Sequence, residues 1–110
     1  MPMCEDRERA FEAKFAHDEE FRFLVTARRD KLFALRIAGQ LGLADQAPDG
    51  LVSAALALPD GLGHDAALLG HMAKVIAEHG READAAELAA SLEDCAKQAR
   101  QQLLTNLPTG

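Results

Sequence analysis

The sequence lacks tryptophan and tyrosine, and its five phenylalanines are its only aromatic residues. It also has few of the runs of Val, Ile and Thr that are typical of β-strands, whereas Ala and Leu are abundant. At 110 residues the chain is long enough for one compact domain with a hydrophobic core and too short for two. These features predict an all-α protein with one domain and, at most, a terminal arm.

Cysteine is scarce, and no segment has the features of a signal peptide or a membrane span. Cys4 and Cys95 lie too far apart for a CxxC redox site or a zinc knuckle, so we expect two free thiols, with Cys95 buried. The N-terminus has no basic segment followed by an apolar one, and no apolar run is long enough to cross a bilayer. We therefore expect a cytoplasmic protein with no direct membrane insertion.

The net charge of −6 argues against a protein that binds nucleic acid through phosphate contacts. Residues 1–31 carry seven basic and eight acidic side chains, which leaves five basic and ten acidic for the rest of the chain. The N-terminal segment is thus nearly neutral and the remainder acidic.

Patterns that would indicate catalysis or metal binding are missing. His64, His71 and His79 are seven and eight residues apart, whereas ligands on one helix face recur after three or four, so we interpret them as structural or exposed. The chain has no Walker loop, GxGxxG turn or GxSxG elbow. We expect no enzymatic activity, no metal and no cofactor.

Four helices account for the apolar periodicity. The segment from Glu5 to about Gln40 contains no Gly or Pro before Gly39, which predicts either one long helix or two helices in series. In the second case the later helix would begin after Asp18, at the acidic turn formed by residues 18–20. Further helices are predicted over about 46–58, over 65–79 with Gly80 at its end, and from the cap Asp84 to about residue 106. The predicted fold is a four-helix bundle with a long N-terminal helix whose first turns form a partly mobile arm, residues 1–17, ahead of a bundle domain of residues 18–110.

Helical spacing also predicts which side chains form the core. In order along the chain, the expected core positions are Phe21, Phe23, Leu24, Val25, Leu32, Phe33, Leu35, Ile37, Leu41, Leu51, Val52, Ala55, Leu56, Leu58, Leu68, Leu69, Met72, Val75, Ile76, Leu88, Leu92, Cys95, Ala99 and Leu103.

Phe11 and Phe15 stand apart from this core pattern. They lie one helical turn apart among charged residues and have only alanines as apolar neighbours. Charge pairing in a solvated helix explains the charges, but an exposed phenylalanine forgoes roughly 1.5–3 kcal/mol of burial energy. The two side chains are therefore expected either to fold back on the bundle or to dock on a partner, and physical reasoning alone leaves both possibilities open.

The stretch DRERAFEAKFAHDEE, followed by ARRDKLFAL and LGL, resembles the N-terminal signature of the alphaproteobacterial zeta subunit, an inhibitor of the F1 part of ATP synthase. The match runs from Asp6 to Leu43 almost without gaps. Beyond Leu43 only the layout of helices is similar, since this chain has no acidic, aromatic-containing stretch before its Pro59–Gly63 loop.

The resemblance implies a four-helix protein whose N-terminal segment enters a catalytic interface between the alpha and beta subunits of F1, meets the gamma subunit and blocks rotation in the hydrolytic direction. It also implies association with the inner membrane only through F1. The partner-binding residues that it implies are Arg7, Glu8, Arg9, Phe11, Glu12, Lys14, Phe15 and His17. The alternative is a stand-alone helical interaction module or small-ligand sensor.

Overall fold

Four helices make up most of the computed structural model, which describes residues 18–43 and 49–105 of the chain. They are α1 (Glu19–Gln40), α2 (Asp49–Leu56), α3 (His64–Glu78) and α4 (Ala85–Thr105). Helix α1 packs most extensively against α4 and next against α2, while α3 contacts both α4 and α1. The predicted all-α four-helix bundle is confirmed. Within the described ranges, no helix is both long enough and apolar enough to cross a membrane.

Helix α1 begins at the acidic turn. Asp18 has extended backbone angles, φ −83° and ψ 107°, and its carboxylate accepts a hydrogen bond of 3.0 Å from the amide of Phe21. Glu19 and Glu20 occupy the first turn, where negative charge is favourable near the positive end of the helix dipole. Of the two alternatives that the sequence left open, the structure has a helix that starts after Asp18.

Removing this cap is expected to weaken the start of α1. Asp18→Ala deletes the acceptor for the Phe21 amide and should lower the free energy of unfolding by about 1 kcal/mol. Asp18→Asn keeps an oxygen acceptor in the same place and should restore most of the loss. Urea unfolding of the three proteins measures this, and an equal loss in both variants would show that the hydrogen bond is not the source of the effect.

Helices α1 and α3 end in the same way. Gly42 and Gly80 have positive φ, +74° and +75°, which side-chain-bearing residues rarely adopt. The amides of the residues that follow these glycines donate back to carbonyls near the helix end, Leu43 to Ala38 at 2.7 Å and Arg81 to Ile76 at 3.1 Å. This is the Schellman arrangement, in which a glycine lets the chain leave the helix with its last carbonyls bonded.

The second half of the bundle follows the sequence closely. Asp84 caps α4 by accepting from the amides of Ala86 and Glu87 at 2.9 and 3.2 Å, as the capping pattern predicted. Helix α2 is shorter than expected because Ala57 and Leu58 already lie in the turn that follows it. The predicted stretch 46–48 lies outside the described residues.

The core lies where α1 meets the other helices. Its centre consists of Phe33 and Ile37 from α1, Leu68 and Met72 from α3, and Cys95 from α4, all fully buried. Ala34, Ala55, Ile76, Leu88 and Leu92 complete the cluster. Cys95 is therefore the buried free thiol that the sequence predicted, whereas Cys4 lies outside the described residues.

Some side chains that were expected in the core are exposed. Leu24 lies about 180° around the helix from Phe33, because nine residues separate them, and it faces away from the bundle with Leu35. Leu56 is exposed because α2 ends there. Phe23 is 57% exposed although it lies on the bundle side of α1, so its prediction as a core residue was also wrong.

Candidate functional site

The residues that the sequence marked as partner-binding all precede α1. Arg7, Glu8, Arg9, Phe11, Glu12, Lys14, Phe15 and His17 lie outside the described residues. The described surface nearest to them along the chain is the first half of α1, which begins directly after Asp18.

A cleft opens along this half of α1. It is lined from α1 by Phe23, Thr26, Ala27 and Asp30, and on the other side by Leu56, Asp60 and His64. The four α1 residues are spaced by three, four and seven positions from Phe23, so they form one stripe on the face that turns toward the bundle. The volume of the cleft is about 180 Å³, enough for a side chain but small for a cofactor.

Phe23 is the residue that sequence reasoning missed. It continues the face of α1 that carries Asp30 and, one and two turns further on, Phe33 and Ile37, yet α2 and the loop after it cover the face only in part. Phe23 was expected in the core with Phe21 and Phe33, but helical spacing does not say how far along a helix its neighbours extend. Phe23 thus presents an aromatic side chain at the rim of the cleft, five residues after Asp18.

The floor of the cleft is a charged network that joins α1 to α3. His64 Nε2 lies 2.6 Å from Asp30 Oδ2, and its Nδ1 lies 2.9 Å from the carbonyl oxygen of Pro59, each within hydrogen-bond distance. The other oxygen of Asp30 accepts from Arg29 Nε at 2.9 Å. Side-chain exposure is only 3% for Asp30 and 6% for His64, so this is a buried ion pair.

Arg29 extends the network to the protein surface. Its guanidinium also donates to both carboxylate oxygens of Asp65, at 2.7 and 3.2 Å, in a bidentate pair. Hydrogen bonding from Arg29 holds the pKa of Asp65 below its ordinary value, although partial burial of that carboxyl acts in the opposite direction. One arginine therefore balances two carboxylates, one buried and one exposed, across the α1–α3 contact.

Burial by itself would lower the pKa of His64. The hydrogen bonds that its ring makes to Asp30 and to the Pro59 carbonyl outweigh that effect, together with the charge of Asp30, so the pKa is raised despite the nearby positive charge of Arg29. The sequence interpretation of His64 as structural agrees with this position. Its partner lies 34 residues away, which no spacing rule connects.

None of these groups forms a catalytic arrangement. Burial raises the pKa of the Cys95 thiol, which keeps it protonated at neutral pH and out of reach of substrates. In the part of the chain that the structure describes, no three His, Cys, Asp or Glu side chains lie together in a way that could hold a metal ion. The cleft therefore has an apolar rim above a buried, charge-paired floor.

A second groove lies at the other end of α1. It has a volume of about 370 Å³, with apolar side chains such as Ile37 and Leu88 at its base and charged ones such as Arg81 and Glu87 around it. Arg81 donates a hydrogen bond to the Gln40 carbonyl there. This groove is the feature that would suit a small polar ligand.

Comparison with known families gives one match. The model of the family described as ATPase inhibitor subunit zeta matches residues 1–102, which covers the arm and all four helices up to the last turn of α4. No curated protein and no solved structure matches the chain. The family match agrees with the resemblance found in residues 6–43.

Proposed function

Because this chain belongs to the ATPase inhibitor subunit zeta family, we propose that it inhibits ATP hydrolysis by the F1 part of the bacterial F1Fo-ATP synthase. The observation that carries the proposal is the extent of the family match, which begins at residue 1 and so includes the whole arm with Phe11 and Phe15. A regulatory role is also consistent with a described structure that has a charge-paired cleft and a buried thiol instead of a catalytic site.

In the proposed mechanism the arm is the inhibitory segment. Residues 5–17 would span about 20 Å as a helix, at 1.5 Å per residue, which is long enough to lie in a cleft between an alpha and a beta subunit. Phe11 and Phe15 would be its apolar anchors, and Arg7, Arg9 and Lys14 would supply charge contacts. With the arm in a catalytic interface and against gamma, the shaft could not turn in the hydrolytic direction.

The bundle has a separate part in this proposal. It would stay outside the catalytic interface and set the direction in which the arm leaves, because Asp18 fixes the start of α1. Phe23 and the cleft beside it are then the described residues best placed to contact F1 next to the arm. The protein would lie in the cytoplasm, at the inner membrane only while F1 holds it.

The binding free energy that inhibition requires is within the range that such an interface can supply. Micromolar inhibition needs about 8 kcal/mol, and a few buried aromatic and arginine anchors commonly supply most of the binding energy of a protein interface. A short helix is marginal by itself, so part of the gross contact energy would be used in ordering the arm. A second aromatic contact at Phe23 would add to the apolar area that is buried.

A hydrolysis assay tests the proposal. Full-length protein added to purified F1 from the same cell should lower the rate of ATP hydrolysis in a saturable way, and it should co-elute with F1 in gel filtration. The alternative is a helical interaction module, or a sensor that uses the groove near Arg81 and Glu87 for a small ligand. Hydrolysis that is unchanged at a large excess of protein would contradict inhibition and favour that alternative.

A further inference from the structure

Both ring nitrogens of His64 face acceptors. The carbonyl oxygen of Pro59 cannot donate a hydrogen bond, so Nδ1 must carry a proton to make its 2.9 Å contact. Asp30 Oδ2, at 2.6 Å from Nε2, belongs to a carboxylate whose other oxygen already accepts from Arg29. Because Arg29 already donates to this carboxylate, we place the shared proton on the imidazole. The geometry therefore requires a doubly protonated, positively charged ring.

The charges around His64 fit this state. Arg29 and Asp30 face it from α1, Asp65 adjoins it on α3, and Asp60 lines the same cleft from the preceding loop. With the imidazolium, the hydrogen-bonded network of Arg29, Asp30, His64 and Asp65 carries two positive and two negative charges. Loss of the His64 proton leaves one negative charge in excess at a site where Asp30 is almost completely buried.

The two contacts fasten different parts of the molecule. The bond to Asp30 attaches the first residue of α3 to α1, and the bond to Pro59 closes the loop that connects α2 to α3. A neutral imidazole has one N–H and can keep only one of the two. Deprotonation must therefore release either the α3 start from α1 or the loop from α3.

From this geometry we propose that His64 is a proton-operated latch, which holds the loop 57–63 and the start of α3 against α1 when charged and releases one of these two attachments when neutral. The release opens the cleft whose rim carries Phe23 and Leu56. The latch is a property of the bundle and does not depend on F1 inhibition.

The direction of the pH effect follows from the raised pKa of His64 in the folded protein. The latch contributes fully below the ordinary histidine value of about 6.5, and its contribution is lost as the pH rises through the higher, folded value. Between those two values the equilibrium constant for opening should rise by up to tenfold per pH unit. Above the folded value it should level off.

Two measurements on the full-length protein test the latch. Side-chain ¹⁵N NMR should show both His64 nitrogens protonated near pH 6, with a pKa above the ordinary histidine value of about 6.5. Hydrogen exchange of amides 60–66, corrected for its intrinsic pH dependence, should show opening that increases above pH 6.5. Amides in the middle of α4 serve as the internal reference.

Variants separate the latch from general pH effects. His64→Gln should remove the pH dependence of opening, His79→Gln should leave it unchanged, and Asp30→Asn should lower the pKa of His64 relative to the original protein. A His64 ring that is neutral at pH 6, or opening that does not vary with pH in the original protein, would overturn the proposal even if the variants fail to fold. A pH dependence that persists in a folded His64→Gln protein would do so as well.

Discussion

Alanine at both Phe11 and Phe15 is expected to raise the concentration of protein that half-inhibits F1 by about a hundredfold. Truncation of an aromatic anchor commonly costs 2 kcal/mol or more, and because such losses are not additive we expect about 3 kcal/mol for the pair, which corresponds to that factor. The charged neighbours Arg7, Glu8, Arg9 and Glu12 stay in place in this variant. The measurement is a titration of the ATP hydrolysis rate of F1 with each protein.

A matched control for this prediction is Leu62→Ala. Leu62 is a large apolar side chain that is fully exposed in the loop before α3, so its removal tests whether any lost apolar surface weakens inhibition. We expect its inhibition curve to overlay that of the original protein. Circular dichroism of all three proteins checks that the substitutions leave the helical signal unchanged. Undiminished inhibition by the double variant would remove Phe11 and Phe15 from the mechanism.

Asp30→Ala is expected to lower the free energy of unfolding by about 3–5 kcal/mol. The substitution leaves the buried imidazolium of His64 without its counter-charge and takes a partner from Arg29. His64 would then lose its proton or the bundle would open around it. Urea unfolding near pH 6, where His64 is charged in the original protein, measures the loss.

An aspartate-to-alanine substitution in an exposed ion pair provides the control for Asp30→Ala. Asp94 pairs with Arg36 at 2.8 Å, but both side chains are in contact with water, at 54% and 30% exposure. Asp94→Ala should therefore cost no more than about 1 kcal/mol. A loss at Asp30 as small as the loss at Asp94 would show that the buried pair does not hold α3 to α1.

Local patterns predicted much of the bundle. Helix ends at Gly42, Gly80 and Asp84 follow from chemistry that acts over three to six residues, and the structure has each of them where that chemistry predicts. The buried position of Cys95 follows from the repeat of apolar residues along α4. Such features can be predicted without knowing which helix packs against them.

Features that depend on distant parts of the chain were not predictable in this way. Leu24 and Phe33 are both apolar, and only the positions of α2 and α4 decide that Phe33 is inside and Leu24 outside. The contact of Asp30 with His64 joins residues 34 apart. A hint was present, because Asp30 is one turn before Phe33 and two turns before Ile37 on the same face, where a lone carboxylate needs a partner.

The residues of the proposed site also differ in whether the sequence alone could identify them. The arm was identified by its two phenylalanines and by its resemblance to the family, and the family match from residue 1 supports that identification. Among the five phenylalanines, only Phe11 and Phe15 were predicted from the sequence to lie at the interface. The exposure of Phe23 adds a third aromatic side chain beside the junction at Asp18.

The central claim is that residues 1–17 inhibit F1 and the bundle alone does not. The most direct measurement compares ATP hydrolysis by purified F1 with the full chain, with residues 18–110, and with a full-length chain whose first 17 residues are shuffled to keep their length and charge. Circular dichroism first establishes that the shortened chain keeps its helices. We predict inhibition by the full chain only, and equal inhibition by all three proteins would contradict the account.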